Sequence, residues 1–219
     1  MLTNKYKAFL FDLNGTLIND MHYHVAAWHT IVNEMGAGIT IEQMKAECYG
    51  KNQEVLERIF PTRFMEDEKM RMGQRKEAQY RKDFEPMLKL LPGLTQFLSA
   101  SDAGGIKMAI GSAAIVPNID FVLDGTNVRK YFTAIVSADD VVQSKPHPET
   151  FLKCAAQLNV LPAGCLVFED TPKGVECAAN AGMDCVVITT MHQPQEFERY
   201  KNVIGFVNDY NHQLLTSLL

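Results

Sequence analysis

Six short apolar runs recur along this chain, with helical patterns between most of them, and that alternation constrains its fold more than any other feature. The runs are Lys7–Asp12, Ile106–Gly111, Thr133–Val136, Cys165–Asp170, Asp184–Thr189 and Val203–Val207. None keeps the strict in–out alternation of a half-exposed strand, which suits strands covered on both faces. Helical periodicity is found near residues 94–100, 115–124, 148–158 and 172–181. Strand–helix–strand repetition of this kind predicts an α/β protein with a doubly wound parallel sheet, a Rossmann-like core.

Residues 18–88 break the pattern. They show helical periodicity near 20–35, 41–47, 51–60 and 66–83, with breaks at Gly36, Gly38, Gly50 and Pro61 and no clear strand. The sheet resumes near Leu91-Pro92-Gly93. The organisation predicted is therefore a core domain of residues 1–17 and 89–219, with an α-helical cap domain inserted at 18–88.

The net charge of −5 argues against nucleic acid as the main partner. No apolar run is long enough to span a membrane, and the N-terminal residues lead directly into a strand-like run with no signal peptide. The expected setting is the cytoplasm, as a monomer or weak homodimer. The five cysteines, Cys48, Cys154, Cys165, Cys177 and Cys185, are scattered without a Cys-x-x-Cys pair, so they read as small buried hydrophobes.

Doubly wound sheets place ligands at the carboxyl ends of their strands. Four predicted strands end in residues suited to phosphate chemistry. Asp12 closes the first, in Phe11-Asp12-Leu13-Asn14-Gly15-Thr16. A carboxylate nucleophile there would form an acyl phosphate that water can cleave; by itself, Asn14-Gly15 equally suits a hairpin turn. Ser112 follows the second and can donate to a phosphate oxygen or cap a helix. Lys145, in Ser144-Lys145-Pro146, can neutralise a phosphate or stand in a solvated loop. Glu169 and Asp170 end an apolar strand together, which is costly without a partner; magnesium takes such oxygen ligands, and an Asp N-cap is the plainer alternative.

The order and spacing of Asp12, Ser112, Lys145 and Glu169/Asp170 resemble the four-motif signature of the haloacid dehalogenase superfamily. The helical insert is similar to the small cap of the subgroup containing β-phosphoglucomutase and sugar-phosphate phosphatases. That resemblance implies roles. Asp12 attacks phosphorus. Thr16, Ser112, Ala113 and Lys145 hold the phosphoryl group. Mg2+ is bound by Asp12, the Asn14 main-chain carbonyl, Glu169 and Asp170. His24, in Tyr23-His24 followed by Ala27-Trp28, and Lys76, in Arg75-Lys76-Glu77, match cap residues of the mutase. By spacing alone His24 and Trp28 are packing partners, Lys76 is one charge on a solvated helix face, and His22 and His29 are surface residues.

Two departures qualify the resemblance. The family carries Asp-x-Asp at the first motif, and this chain has Asn14 at the second position, which offers no titratable proton for acid/base work. Where the mutase has a cap arginine this chain has Gln53, and its second motif runs Ser112-Ala113-Ala114-Ile115-Val116, short of groups to hold a second phosphate. The function expected is Mg2+-dependent hydrolysis of a small phosphorylated metabolite, a sugar phosphate in particular, through an aspartyl phosphate. Alternatives are a β-phosphoglucomutase-like phosphotransferase and an impaired phosphate-ligand-binding protein.

Overall fold

The computed structural model describes residues 5–219 and divides the chain into two compact units, one of residues up to Asn19 with Lys89–Leu219, the other Asp20–Leu88.

The first unit is built on six parallel strands: β1 (Ala8–Phe11), β2 (Lys107–Gly111), β3 (Ala134–Val136), β4 (Cys165–Glu169), β5 (Asp184–Ile188) and β6 (Val203–Val207). Their order in the sheet is β3-β2-β1-β4-β5-β6. Winding proceeds outward from β1 in one direction and then reverses between β1 and β4. At such a switch point the connections leave on opposite faces and open a crevice at the carboxyl ends of the strands. In register Phe11 lies beside Ile110 and Phe168, so Asp12 emerges next to the ends of β2 and β4.

Both faces of the sheet are buried along β1, β2, β4 and β5, as the unalternated apolar runs require, while β6 at the edge is mostly half-buried. Ala8, Leu10, Ala109, Val136, Val167, Cys185 and Val187 face α7 (Glu149–Leu158) and α8 (Pro172–Asn180), through Phe151, Cys154, Val175 and Cys177. The opposite face is aromatic. Phe168 stacks on Phe11 with ring centroids 4.6 Å apart and meets Phe9 edge-on at 5.4 Å. Phe97, from α5 (Leu94–Ala103), stacks on Phe9 at 5.6 Å and meets Phe168 at 5.4 Å. Tyr210, between β6 and α9 (Gln213–Thr216), closes the cluster 5.5 Å from Phe97. α6 (Val116–Gly125) completes the unit, with Pro117 in its first turn, where the missing amide costs nothing.

The second unit contains α1 (Met21–Glu34), α2 (Ile41–Glu47), α3 (Asn52–Ile59) and α4 (Glu66–Phe84), close to the predicted helices. Thr40 caps α2 in a reciprocal capping box with Gln43. Its own core gathers Val25, Trp28, Ile31, Val32, Met44, Val55, Leu56 and Phe60.

His29 departs from its expected surface position. It is half-buried, its Nε2 lies 3.1 Å from the Ile39 carbonyl, and Asn33 Nδ2 is 2.9 Å away. It fastens the loop after α1, a role that helical spacing does not reveal. Lys76 is also not on a solvated face, being only 3% exposed.

Phe168 is fully buried among the rings of Phe9, Phe11, Phe97 and Tyr210. Phe168→Ala is expected to cost about 3–5 kcal/mol, read from the shift in urea midpoint at unchanged slope.

Candidate active site

The ends of β1 and β4 bring Asp12, Glu169 and Asp170 together, and Lys145 reaches them from the loop between β3 and α7, not from the end of a strand as expected. One carboxylate oxygen from each of Asp12, Glu169 and Asp170 lies within 4.8 Å of the others, and all three residues are buried. Lys145 Nζ donates to Asp12 Oδ1 at 2.7 Å and to Glu169 Oε1 at 2.8 Å, with its side chain only 8% exposed. The same ammonium sits 4.6 Å from the centroid of the Phe151 ring, a cation–π contact.

Helix α8 holds Glu169 from the other side. Glu169 Oε2 accepts from the amides of Asp170 and Thr171, both at 2.8 Å, and from the Thr171 hydroxyl at 3.0 Å. Thr171 Oγ1 in turn caps α8 by accepting from the Gly174 amide at 3.1 Å. A carboxylate at a helix N-terminus receives oriented amides and the favourable end of the dipole.

Two glycines make room for the acids. A Cβ on Gly174 would lie 1.7 Å from Glu169 Oε1. A Cβ on Gly15 would lie 2.0 Å from Asp170 Oδ2, and Gly15 has φ +77°, in the left-handed region. The turn after β1 therefore rests directly on Asp170.

Burial raises the Asp12 carboxyl, Lys145 pulls it back and Glu169 pushes it up again, with a net rise to about 7. Burial opposes the charge on Lys145, but Asp12 and Glu169 outweigh it and hold the ammonium protonated. Three carboxylates against this one ammonium leave an excess of negative charge in a buried space. Hard, oxygen-only donors with that excess fit a divalent cation such as magnesium. Burial, with Asp12 and Asp170 nearby, keeps the Tyr210 phenol protonated and hence a donor.

The other predicted residues of this unit lie at adjoining strand ends. Ser112 is buried; its amide donates to Val136 and its hydroxyl accepts from Ala114 at 3.1 Å. Ala113 is half-buried in the same turn. Thr16 is fully buried, and its hydroxyl has no hydrogen-bond partner among the described residues. Asn14 is half-buried and bridges to Ile18, so the Asn14-Gly15 pair is not a hairpin turn. Burial pushes the Cys154 and Cys177 thiols up to about 12. Both pack as neutral groups, Cys177 donating to the His147 carbonyl at 3.0 Å.

His24 and Lys76 meet inside the helical unit. Lys76 Nζ lies 2.6 Å from His24 Nδ1 and donates to Glu77 Oε1 at 3.0 Å. An ammonium at Nδ1 requires that nitrogen to accept, so the ring proton belongs on Nε2, which is 3.4 Å from Asp20 Oδ2. Tyr80 donates to the same oxygen, and its ring stacks on His24 at 3.7 Å. Gln53 is half-buried on α3 and does not figure in these contacts. Arg58, also on α3, donates to Glu47 Oε2 at 3.1 Å and to the Glu47 carbonyl at 2.7 Å.

The sequence model for haloacid dehalogenase-like hydrolase matches residues 9–188. The chain belongs to the haloacid dehalogenase-like hydrolase family. A protein of Haemophilus influenzae is 34% identical to this family member over 198 residues, covering 85% of this chain and 93% of that one. A fructose-1-phosphate phosphatase of Escherichia coli is 29% identical, covering 83% of this chain and 96% of its own. Among solved structures, a β-phosphoglucomutase from Clostridium difficile superposes with a TM-score of 0.82 at 29% identity, covering 94% of this chain and 92% of that one.

Alanine in place of glycine inside a helix normally stabilises by roughly 0.5–1 kcal/mol. Gly174→Ala is expected to reverse that sign, because the methyl would displace Glu169 from Lys145 and α8. A melting temperature below that of the parent, by an overpacking cost of about 1–3 kcal/mol, is the result to look for.

Proposed function

We propose that this enzyme is a magnesium-dependent phosphatase of small phosphorylated metabolites, sugar phosphates in particular, working through an aspartyl phosphate on Asp12. The observation that carries the reading is the convergence of three carboxylates and Lys145 at the carboxyl ends of β1 and β4.

In this reading a carboxylate oxygen of Asp12 attacks phosphorus as the bond to the leaving oxygen breaks. Water then cleaves the acyl phosphate, releasing phosphate and regenerating Asp12. Lys145 stabilises the negative charge spread over the transferring group, the kind of contribution expected to dominate phosphoryl transfer. Ser112 and the Thr16 hydroxyl, which has no partner among the described residues, are suited to donate to phosphoryl oxygens. Asp12, Asp170 and the Asn14 carbonyl would hold the magnesium ion, with Glu169 acting directly or through water. All four hydrogen bonds described at the Glu169 carboxylate favour the route through water. Bound there, the ion would screen the phosphate from the carboxylates and polarise it.

The similarity to a fructose-1-phosphate phosphatase supports sugar phosphates as the substrate class. The similarity to a β-phosphoglucomutase keeps a phosphomutase as the second reading. The apolar Ala113-Ala114-Ile115 stretch favours hydrolysis, because a mutase must also grip a second phosphate. The expected location is the cytoplasm.

Phosphate release from a panel of sugar phosphates with Mg2+ tests the assignment. Asp12→Ala is expected to remove activity to background, and unchanged turnover would overturn the nucleophile. Interconversion of glucose 1- and 6-phosphates without phosphate release would select the mutase. A positioned acid/base contributes ~10²–10⁴-fold. Asn14→Asp is therefore expected to raise kcat within that range for substrates with poor leaving groups, and much less for an activated aryl phosphate.

A further inference from the structure

Two hydroxyls from the C-terminal part of the chain reach back to the turn that follows Asp12. Thr190 Oγ1 donates to the Gly15 carbonyl at 2.7 Å, across 175 residues of sequence. The Tyr210 hydroxyl donates to the Thr16 carbonyl at 3.2 Å. Earlier in the turn, the Leu13 carbonyl accepts from the amides of Thr16 at 3.3 Å and Leu17 at 2.9 Å. The carbonyls of Leu13, Gly15 and Thr16 are thus each tied inside the core unit, two of them by side chains that follow β5 and β6.

The tie at Gly15 has a particular consequence. Gly15 is buried and packs so closely on Asp170 that a single added carbon would overlap its carboxylate. Asp12 itself is fixed to β4, its amide donating to the Phe168 carbonyl at 2.9 Å, so the height of the turn above Asp170 sets where the Asn14-Gly15 backbone lies over the carboxylates. Thr190 ties the turn at Gly15 from the neighbouring strand end, where its amide donates to the Ile188 carbonyl at 3.0 Å and anchors it to β5. Without the hydroxyl, the tie between the Gly15 carbonyl and the end of β5 is lost, and the turn is free to tilt.

We propose that Thr190 is a positioning residue for the metal centre, its hydrogen bond to the Gly15 carbonyl holding the Asn14-Gly15 backbone in place over Asp170. The inference rests on reading the carboxylate cluster as a metal centre, and it adds a residue that touches neither metal nor substrate. Tyr210 is the less selective probe, because its ring is also part of the aromatic core. Thr190 is half-buried and outside both core clusters.

The test is titration of Mn2+ into the full-length protein, with free ion followed by electron paramagnetic resonance. Outer-shell partners typically contribute 10–100-fold to metal affinity. Thr190→Val, which keeps the shape and removes the donor, is expected to weaken Mn2+ binding on the order of tenfold, with the melting temperature in chelator lowered only slightly. Thr190→Ser is expected to restore the affinity. Wild-type affinity in Thr190→Val overturns the proposal, and so does Thr190→Ser binding as weakly as Thr190→Val. Asp170→Asn separates the two levels: if it binds Mn2+ as tightly as the parent, the metal-centre reading itself fails, and the role of Thr190 with it.

Discussion

The two hydrogen bonds from Lys145 to Asp12 and Glu169 are the interaction on which the rest of the site depends. Carboxylates removed from water are costly unless paired and hydrogen-bonded. Here a single ammonium bridges acids from two strands that are neighbours in the sheet but far apart in sequence. Glu169 is satisfied further by the first turn of α8, and an aromatic ring lies against the lysine. Loss of Lys145 would leave Asp12 and Glu169 as like charges facing each other in a buried space. A charge excess remains even with the lysine present, and a divalent cation would complete the arrangement.

The fold supplies this geometry through backbone more than through side chains. A parallel sheet whose order reverses between β1 and β4 delivers the ends of both strands to one crevice. Gly15 and Gly174 then let backbone approach carboxylate at distances no side chain would allow. The hydroxyls of Thr171, Thr190 and Tyr210 fasten the pieces from three directions. Beneath them the aromatic face of Phe9, Phe11, Phe97 and Phe168 gives the strand ends a stiff support.

The strands were legible because burial on both faces writes itself as an unbroken apolar run, and each run is a strand. The helices of both units were legible from their periodicity and breakers. Asp12, Glu169 and Asp170 stood out as polar residues at the ends of such runs, where a core position would be expensive, whereas Lys145 lies in the loop beyond β3 and was singled out only in company with them. Thr190, Tyr210 and Gly174 carried no comparable signal. Thr190 and Tyr210 act on backbone carbonyls of a turn near the opposite end of the chain, and a side chain that binds a carbonyl needs no particular residue there. Gly174 could have been singled out as a glycine inside a helix, where entropy disfavours it without a packing reason. Lys76 and His29 were misplaced for one reason. A polar residue at a helical position reads as solvated until its partners, here His24 and Glu77 for the lysine and Asn33 and the Ile39 carbonyl for the histidine, are known.

The register of β1 also bears on how the chain is made. Ala8 pairs with Lys107 on one side and Cys165 on the other, with the whole helical unit intervening before the first of these. On the ribosome, the central strand emerges first and waits longest for its neighbours, an exposed apolar segment with two unpaired edges. The helical unit closes over shorter loops and can collapse while that strand is still waiting, since local contacts form ahead of distant ones. Asp12 is thus among the first site residues to be synthesised, and its buried environment is completed only after Glu169 and Asp170 have followed.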